Sequence, residues 1–302
     1  MAPGDVTPLD SSAAGLVLGA TDPEATIAFL SAFGLERGAT SPVGVEVASA
    51  LYGLDSATTE VELSTPGAEA PRVWVVGGAD PGGLPSDFER RPRAFDIYTS
   101  DMDEAVDHLR FVGLAPGPVG TLAVGPVTMR QCLVPGPDGT AVVLVESSHR
   151  RASLLDAGDG EATNDRIFSE GHSVVWCVES MDDESSLFEA AGLTKGMDLA
   201  FNEPEVSTYL DLPRSPVPIR MTMLAGESVE PLRLELLEFP EDSGPTEAPE
   251  RLRGGLWALR FVTDDAAGTA SLLVAGGCER TGACDAAEAL RTPGGIRLQL
   301  TG

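Results

Sequence analysis

Residues 15–36 read GLVLGATDPEATIAFLSAFGLE, and the same phrase returns three more times. Residues 93–115 read RAFDIYTSDMDEAVDHLRFVGLA, residues 172–194 HSVVWCVESMDDESSLFEAAGLT, and residues 256–279 LWALRFVTDDAAGTASLLVAGGCE. Each copy is a short apolar strand, an acidic or small polar residue, about three turns of helix, and a glycine. The closing glycines Gly34, Gly113, Gly192 and Gly276 lie 79, 79 and 84 residues apart. A period of that length makes the chain four modules, each headed by a strand and a helix, and not one large sheet.

Working outward, Asp22 or Thr21 caps the first helix, because a short polar oxygen accepts the orphan N–H bonds of the first turn. Gly34 ends it, since the left-handed conformation needed there costs glycine little. Three β-like runs follow, near 45–52, 60–63 and 73–76. Module two repeats the order, with strand 95–99, helix 103–111 and strands near 122–124, 128–134 and 140–146. PGPDG at 135–139 is a turn between the last two. Module three opens at His172, carries a helix over 183–191 and closes near 232–239. Module four opens near Leu256, has a short middle that predicts a truncated or irregular strand, and closes over 292–300. Residues 147–170 and 240–253 read as linkers.

The 302 residues are ample for two domains. Hydrophobic residues make up 42%, which fits a globular chain, and no apolar run reaches the ~20 residues of a membrane span. The first residues lack a basic and an apolar region, so no signal peptide is expected and a cytoplasmic location is. Asp and Glu number 47 against 20 Lys and Arg, a net charge of −27, and Lys195 is the single lysine. That balance repels phosphate backbones and anionic membranes, so nucleic acid and membrane surfaces are not the expected partners. It fits a solvated acidic surface or attraction of a cationic ligand. Cys132, Cys177, Cys278 and Cys284 have neither zinc-finger nor CxxC spacing and read as reduced thiols.

Tandem βαβββ modules, a Gly-Leu after three of the four helices and the phrase PDGTAVVLV at 137–145 resemble the vicinal oxygen chelate superfamily. That group includes glyoxalase I, bleomycin-resistance proteins, extradiol dioxygenases and epimerases. The resemblance implies an α+β fold of four βαβββ modules forming two glyoxalase-like domains with cupped mixed sheets. It divides the chain into residues 1–149, a linker over 150–170, and residues 171–302. Modules one–two and three–four can pair, or one–four and two–three.

The resemblance further implies one divalent metal (zinc, nickel, manganese or iron) in the cup, and no nucleotide cofactor. Ligands come from the start of the first strand and the middle of the last. On those positions the metal set is His172, Glu235 and Gln299, all in the C-terminal half. The N-terminal half offers Ala14 or Gly15, Trp74, Arg93 or Ala94, and Val143, so its site is degenerate. With three histidines in the chain, a two-His, one-carboxylate iron site is not available, which argues against ring-cleaving oxygenase chemistry.

Glu235 between two leucines is expected to face the cup or a positive group (Arg220, Arg233 or Arg260) and to act as general base with or without metal. Trp176 shares a strand face with His172 by alternation, and Trp257 occupies or adjoins a vacated ligand position. Arg260 inside LWALRFV needs a partner or a ligand anion. With Tyr209 and Arg220, these residues form the expected substrate-binding set. The function this implies is a small-molecule lyase or isomerase acting on an oxygenated substrate. The alternatives are a metal-free sequestering protein of the bleomycin-resistance type, or a pseudo-enzyme that supports assembly. The expected partner is a small molecule, and the chain a monomer or homodimer.

Overall fold

A computed structural model describes residues 9, 13–85, 88–124, 127–150, 152–156, 166–226, 232–242, 244, 249–284 and 287–302. Much of both linkers, including 157–165 and 245–248, lies outside the described residues. Module one comprises β1 (Ala13–Ala20), α1 (Pro23–Ser31), β2 (Glu36–Val43), α2 (Val45–Tyr52), β3 (Thr58–Ser64) and β4 (Arg72–Gly77). Module two comprises β5 (Pro92–Thr99), α3 (Met102–Phe111), β6 (Val119–Val124), β7 (Val127–Pro135) and β8 (Ala141–Ser147). Module three comprises β9 (Phe168–Cys177), α4 (Met181–Ala190), β10 (Thr194–Phe201), α5 (Pro204–Tyr209), β11 (Ile219–Ala225) and β12 (Arg233–Glu238). Module four comprises β13 (Gly255–Val262), α6 (Ala266–Ala275), β14 (Glu279–Cys284), β15 (Ala287–Arg291) and β16 (Arg297–Thr301).

The helices start where the sequence places them. Asp22, Asp101, Ser180 and Asp265 each accept a backbone N–H of the first turn. Thr21 is not the cap; its N and Oγ1 donate to the Asp138 carboxylate and bind the module-two turn to module one. The run at 45–52 is a helix, not a strand. Ala48, Leu51 and Tyr52 are spaced for one helical face, and Gly53 takes the left-handed conformation (φ 62°) that ends it. The strand before it is β2, whose mostly exposed residues give no alternating signal. Module four's middle holds two short strands, β14 and β15.

The strand orders are β14-β15-β16-β13-β1-β4-β3-β2 and β10-β11-β12-β9-β5-β8-β7-β6. Module one therefore pairs with four, and two with three. The first strands join antiparallel, β1 on β13 and β5 on β9. The chain halves 1–149 and 171–302 each contribute one module to each sheet, so the linker separates halves of sequence and not sheets.

One core lies between the two sheets. Leu16 and Leu18, Phe95 and Ile97, Val174 and Trp176, and Leu259 and Phe261 pack there with the helices. Side chains alternate along a strand, so the residues between these face the concave sides. Two bonded triads repeat on the helix side. Met102 N donates to Glu146 at 2.9 Å, and Arg130 joins Glu146 (3.1 Å) to Asp103 (2.7 Å). Met181 N donates to Glu238 at 2.9 Å, and Arg220 joins Glu238 (3.3 Å) to Asp182 (3.0 Å). Arg220 is thus a half-exposed clamp on a helix N-terminus, away from the cup. Glu238→Ala is expected to lower stability by about 1–2 kcal/mol, because it orphans a helix N–H. Arg220→Ala is expected to cost under about 1 kcal/mol. Denaturant midpoints at unchanged m-value measure both.

Candidate functional site: one filled cup and one open cup

The concave face of the module one–four sheet is filled from within. Helix α2 lies over it, and its Leu51 and Tyr52 pack with Val17, Trp257 and Ala289 of the sheet. At its centre sits Arg260, 6% exposed. Its guanidinium meets Glu60 at 2.5 Å, Tyr52 Oη at 2.7 Å and Gln299 Oε1 at 2.8 Å, and lies over the Trp74 ring at 4.4 Å. Gln299 Nε2 and Trp257 Nε1 both donate to the Leu51 carbonyl, and the Arg297 guanidinium covers the Trp257 ring. Gly15 makes room for Trp74: a Cβ there would lie 2.4 Å from the indole. Burial leads the causes that push the Tyr52 hydroxyl well above its usual range.

These contacts correct three expectations. Gln299 is in the sheet opposite His172 and Glu235 and bonds Arg260, because module four pairs with module one. Arg260 and Trp257 fill their cup instead of lining a ligand site. Trp176 lies in the core between the sheets, on the face opposite the cup. It does not follow His172 because a β-bulge intervenes. Asp96 faces Ser173 while Ile97 faces Gly171, so His172 is the extra residue and turns with Ser173 toward the concave side.

The module two–three cup is open. Its main chamber has a volume of about 260 Å³. The walls are apolar, with Leu122, Met129, Val145, Met197, Phe201, Val206, Ile219, Met221 and Met223. A smaller lobe of about 50 Å³ continues it, bounded by Asp96, Val143, Tyr209, Glu235 and Arg93. Asp96, Gln131, Tyr209 and Glu235 border both spaces.

The polar floor comes from four strands and α5. Ser173 Oγ donates to Asp96 Oδ2 at 2.6 Å. Asp96 Oδ1 is buried with no hydrogen bond among the described residues, as is Gln131 Oε1. Arg233 donates to His172 Nδ1 at 2.6 Å, to the His172 carbonyl at 3.2 Å and to Tyr98 Oη at 2.9 Å. The His172 and Tyr98 rings stack at 3.5 Å. Arg93 is held by Cys177 Sγ, the Leu210 carbonyl and the Phe239 ring. Burial drives the Asp96 carboxyl up from its usual range, against the Ser173 bond and the Arg233 charge. Burial likewise drives Glu235 up; the Asp96 charge adds to it and Arg233 opposes. Burial also raises Tyr209, and the charges of Glu235 and Asp96 raise it further.

The residues do not fit the implied metal. Arg233 donates to His172 Nδ1, so that nitrogen is an acceptor and the neutral ring carries its proton on Nε2. Neither nitrogen then offers a lone pair to an ion. Gln299 is absent from this cup, and among the described residues no group of three His, Cys, Asp or Glu is placed to hold a metal. Arg233 supplies positive charge beside the carboxylates instead. His172, Glu235 and Tyr209 do share the cup. Of the three arginines proposed to face Glu235, Arg233 does so. Sequence reading missed Asp96, Tyr98 and Gln131. For Asp96 the signal was present: a charge inside RAFDIYT, like Arg260 inside LWALRFVT.

The fold is glyoxalase-like, four βαβββ modules with one open cup among the described residues. Glyoxalase I from Zea mays is similar over 97% of this chain and 94% of its own, with a TM-score of 0.64 at 15% identity. A putative dioxygenase from Bacillus subtilis is similar over 95% and 83%, with a TM-score of 0.59 at 12% identity. These likenesses carry the fold of the vicinal oxygen chelate superfamily. Neither a protein-family model nor the sequence of a curated protein matches the chain.

Protein purified without chelator or affinity metal is expected to hold well under one equivalent of transition metal by elemental analysis, unchanged in His172→Ala. Arg260→Ala is expected to cost about 2–4 kcal/mol in denaturant unfolding, because the mostly buried Glu60 loses its cation and the buried Gln299 Oε1 its donor.

Proposed function

We propose that the chain is a metal-independent lyase or isomerase for a small organic molecule, acting in the module two–three cup with Glu235 as general base. One observation carries the reading: two carboxyl groups from different modules, Asp96 and Glu235, converge at the polar end of an otherwise apolar chamber. The chamber walls exclude water and seat the body of the substrate. Glu235 accepts a proton from a carbon acid at the junction of the two spaces. Arg233, braced by His172 and Tyr98, sits where negative charge on a substrate oxygen is stabilised. Burial, and after it the charge of Asp96, which Ser173 fixes, hold Glu235 at a raised affinity for the proton, so that it both takes and returns it.

A second reading is a sequestering protein that binds without turnover. Met129, Met197, Met221 and Met223 in the chamber wall favour it, since unbranched thioether side chains adapt to varied ligands.

An aryl ketone such as 1-phenylpropan-2-one tests the two. In deuterium oxide, proton NMR is expected to record deuterium entering the α-carbon faster than in buffer alone. The rate should rise with pH through a midpoint above the ordinary carboxylate range, because the base must first lose its proton. Glu235→Gln is expected to slow it about 10²–10⁴-fold while the ketone still binds. Binding without exchange in the wild-type protein would discard the catalytic reading in favour of sequestration.

A further inference from the structure

The two cups are built on one plan, and the filled one carries a cation of its own. Asp96 precedes the helix cap Asp101 by the interval that separates Arg260 from the cap Asp265. Their registers agree: Asp96 lies beside Val143 on the neighbouring last strand, Arg260 beside Gln299. Glu235 lies beside Val175, and Trp74 beside Val17, at matching distances before the caps Ser180 and Asp22. Helices α2 and α5 are both inserted between the second and third strands of their modules, and end in Tyr52 and Tyr209. Arg93 and Trp257 are both extra residues at strand bulges, and each donates to a carbonyl beside its tyrosine. Arg260, Trp74, Tyr52 and Gln299 in the filled cup thus stand where Asp96, Glu235, Tyr209 and Val143 stand in the open one.

In the filled cup, the space among those four positions is taken by the Arg260 guanidinium. In the open cup, Asp96, Glu235, Tyr209 and Val143 all border the lobe of about 50 Å³. We infer that this lobe receives the head of an organic cation, an ammonium, amidinium or guanidinium group seated between Asp96 and Glu235, with its apolar body in the main chamber. The inference rests on the module two–three cup being the small-molecule site.

The chemistry of the lobe agrees. Buried acceptors without hydrogen bonds among the described residues are costly, and Asp96 Oδ1 and Gln131 Oε1 are two of them. An N–H-rich cation satisfies both. Tyr209, which borders the lobe, adds an aromatic ring that attracts cations. The other charged and titratable groups lining the two spaces are Arg93 and Asp211 in the lobe and His149, His172 and Arg233 in the main chamber, and Asp211 adds to the negative charge of the lobe. Arg233 on β12 is turned to His172 and Tyr98. Arg93 on β5 is bolted to the wall as Trp257 is. His172 on β9 is neutral while it accepts from Arg233. A second cation lets both carboxyls ionise, so binding releases protons from a pair that burial holds partly protonated. The net charge of −27 draws cations to the surface first.

Three isosteric probes test this by calorimetry: benzamidinium, benzamide and benzoate. Benzamidinium is expected to bind at least tenfold more tightly than benzamide, and benzoate not measurably. The preference should persist in 0.5 M sodium chloride, which screens attraction by surface acids. It should fall to near unity in Asp96→Asn and in Glu235→Gln, with unfolding curves confirming that both fold. Wild-type titrations in buffers of different ionisation enthalpy should record proton release for benzamidinium alone, a readout that needs no variant. Equal affinity for benzamidinium and benzamide would overturn the cation inference and leave the cup as a small-molecule site. A preference lost in high salt would overturn it as surface attraction. Binding of none of the three would overturn both.

Discussion

Everything distinctive about this molecule depends on how the first strands of its modules pair. A βαβββ module has one face covered by its helix and one face bare. Antiparallel pairing of β1 with β13 and of β5 with β9 brings the helices together into a single core, and leaves two concave faces turned outward. Each concave face then has to be filled or used. Burial of apolar area drives the first arrangement. The second is decided by a few residues at the cup centres.

The two cups answer the same geometric problem with opposite charge. In the module one–four sheet an arginine points inward and is neutralised in place by Glu60, with Tyr52, Gln299 and the Trp74 ring completing its shell. A buried charge so enclosed has little reason to meet a ligand. In the module two–three sheet the counterpart positions carry carboxyl groups. Ser173 and Arg233 only partly compensate them, and the space they border stays open. The difference between structural plug and candidate site is one of charge complementation within a conserved register, not of fold.

The bulges matter as much as the charges. At 171–173 the extra residue brings His172 into the cup beside Ser173, where strict alternation would have sent it into the core with Val174 and Trp176. The same bulge carries His172 to Arg233, and that contact fixes the ring as a hydrogen-bond acceptor. The residue that the resemblance implied as a metal ligand braces a guanidinium instead.

The sequence by itself determined the modules. The fourfold strand–helix–glycine phrase, with its acidic or small polar residue before each helix, and the turn at 135–139 are local signals, set by backbone geometry within a few residues. They survive any tertiary arrangement. Glu235 and the need of Arg260 for a partner were legible for the same reason, since a charge in an apolar strand is conspicuous without a structure. Helix α2 was misread because β2 beside it is mostly exposed and carries no alternation. Which modules pair, and hence that Gln299 meets Arg260 and not His172, was decided only in three dimensions. Strand pairing across more than a hundred residues leaves no periodic trace in the chain. The bulge that separates His172 from Trp176 is likewise a property of two strands together, invisible in either alone.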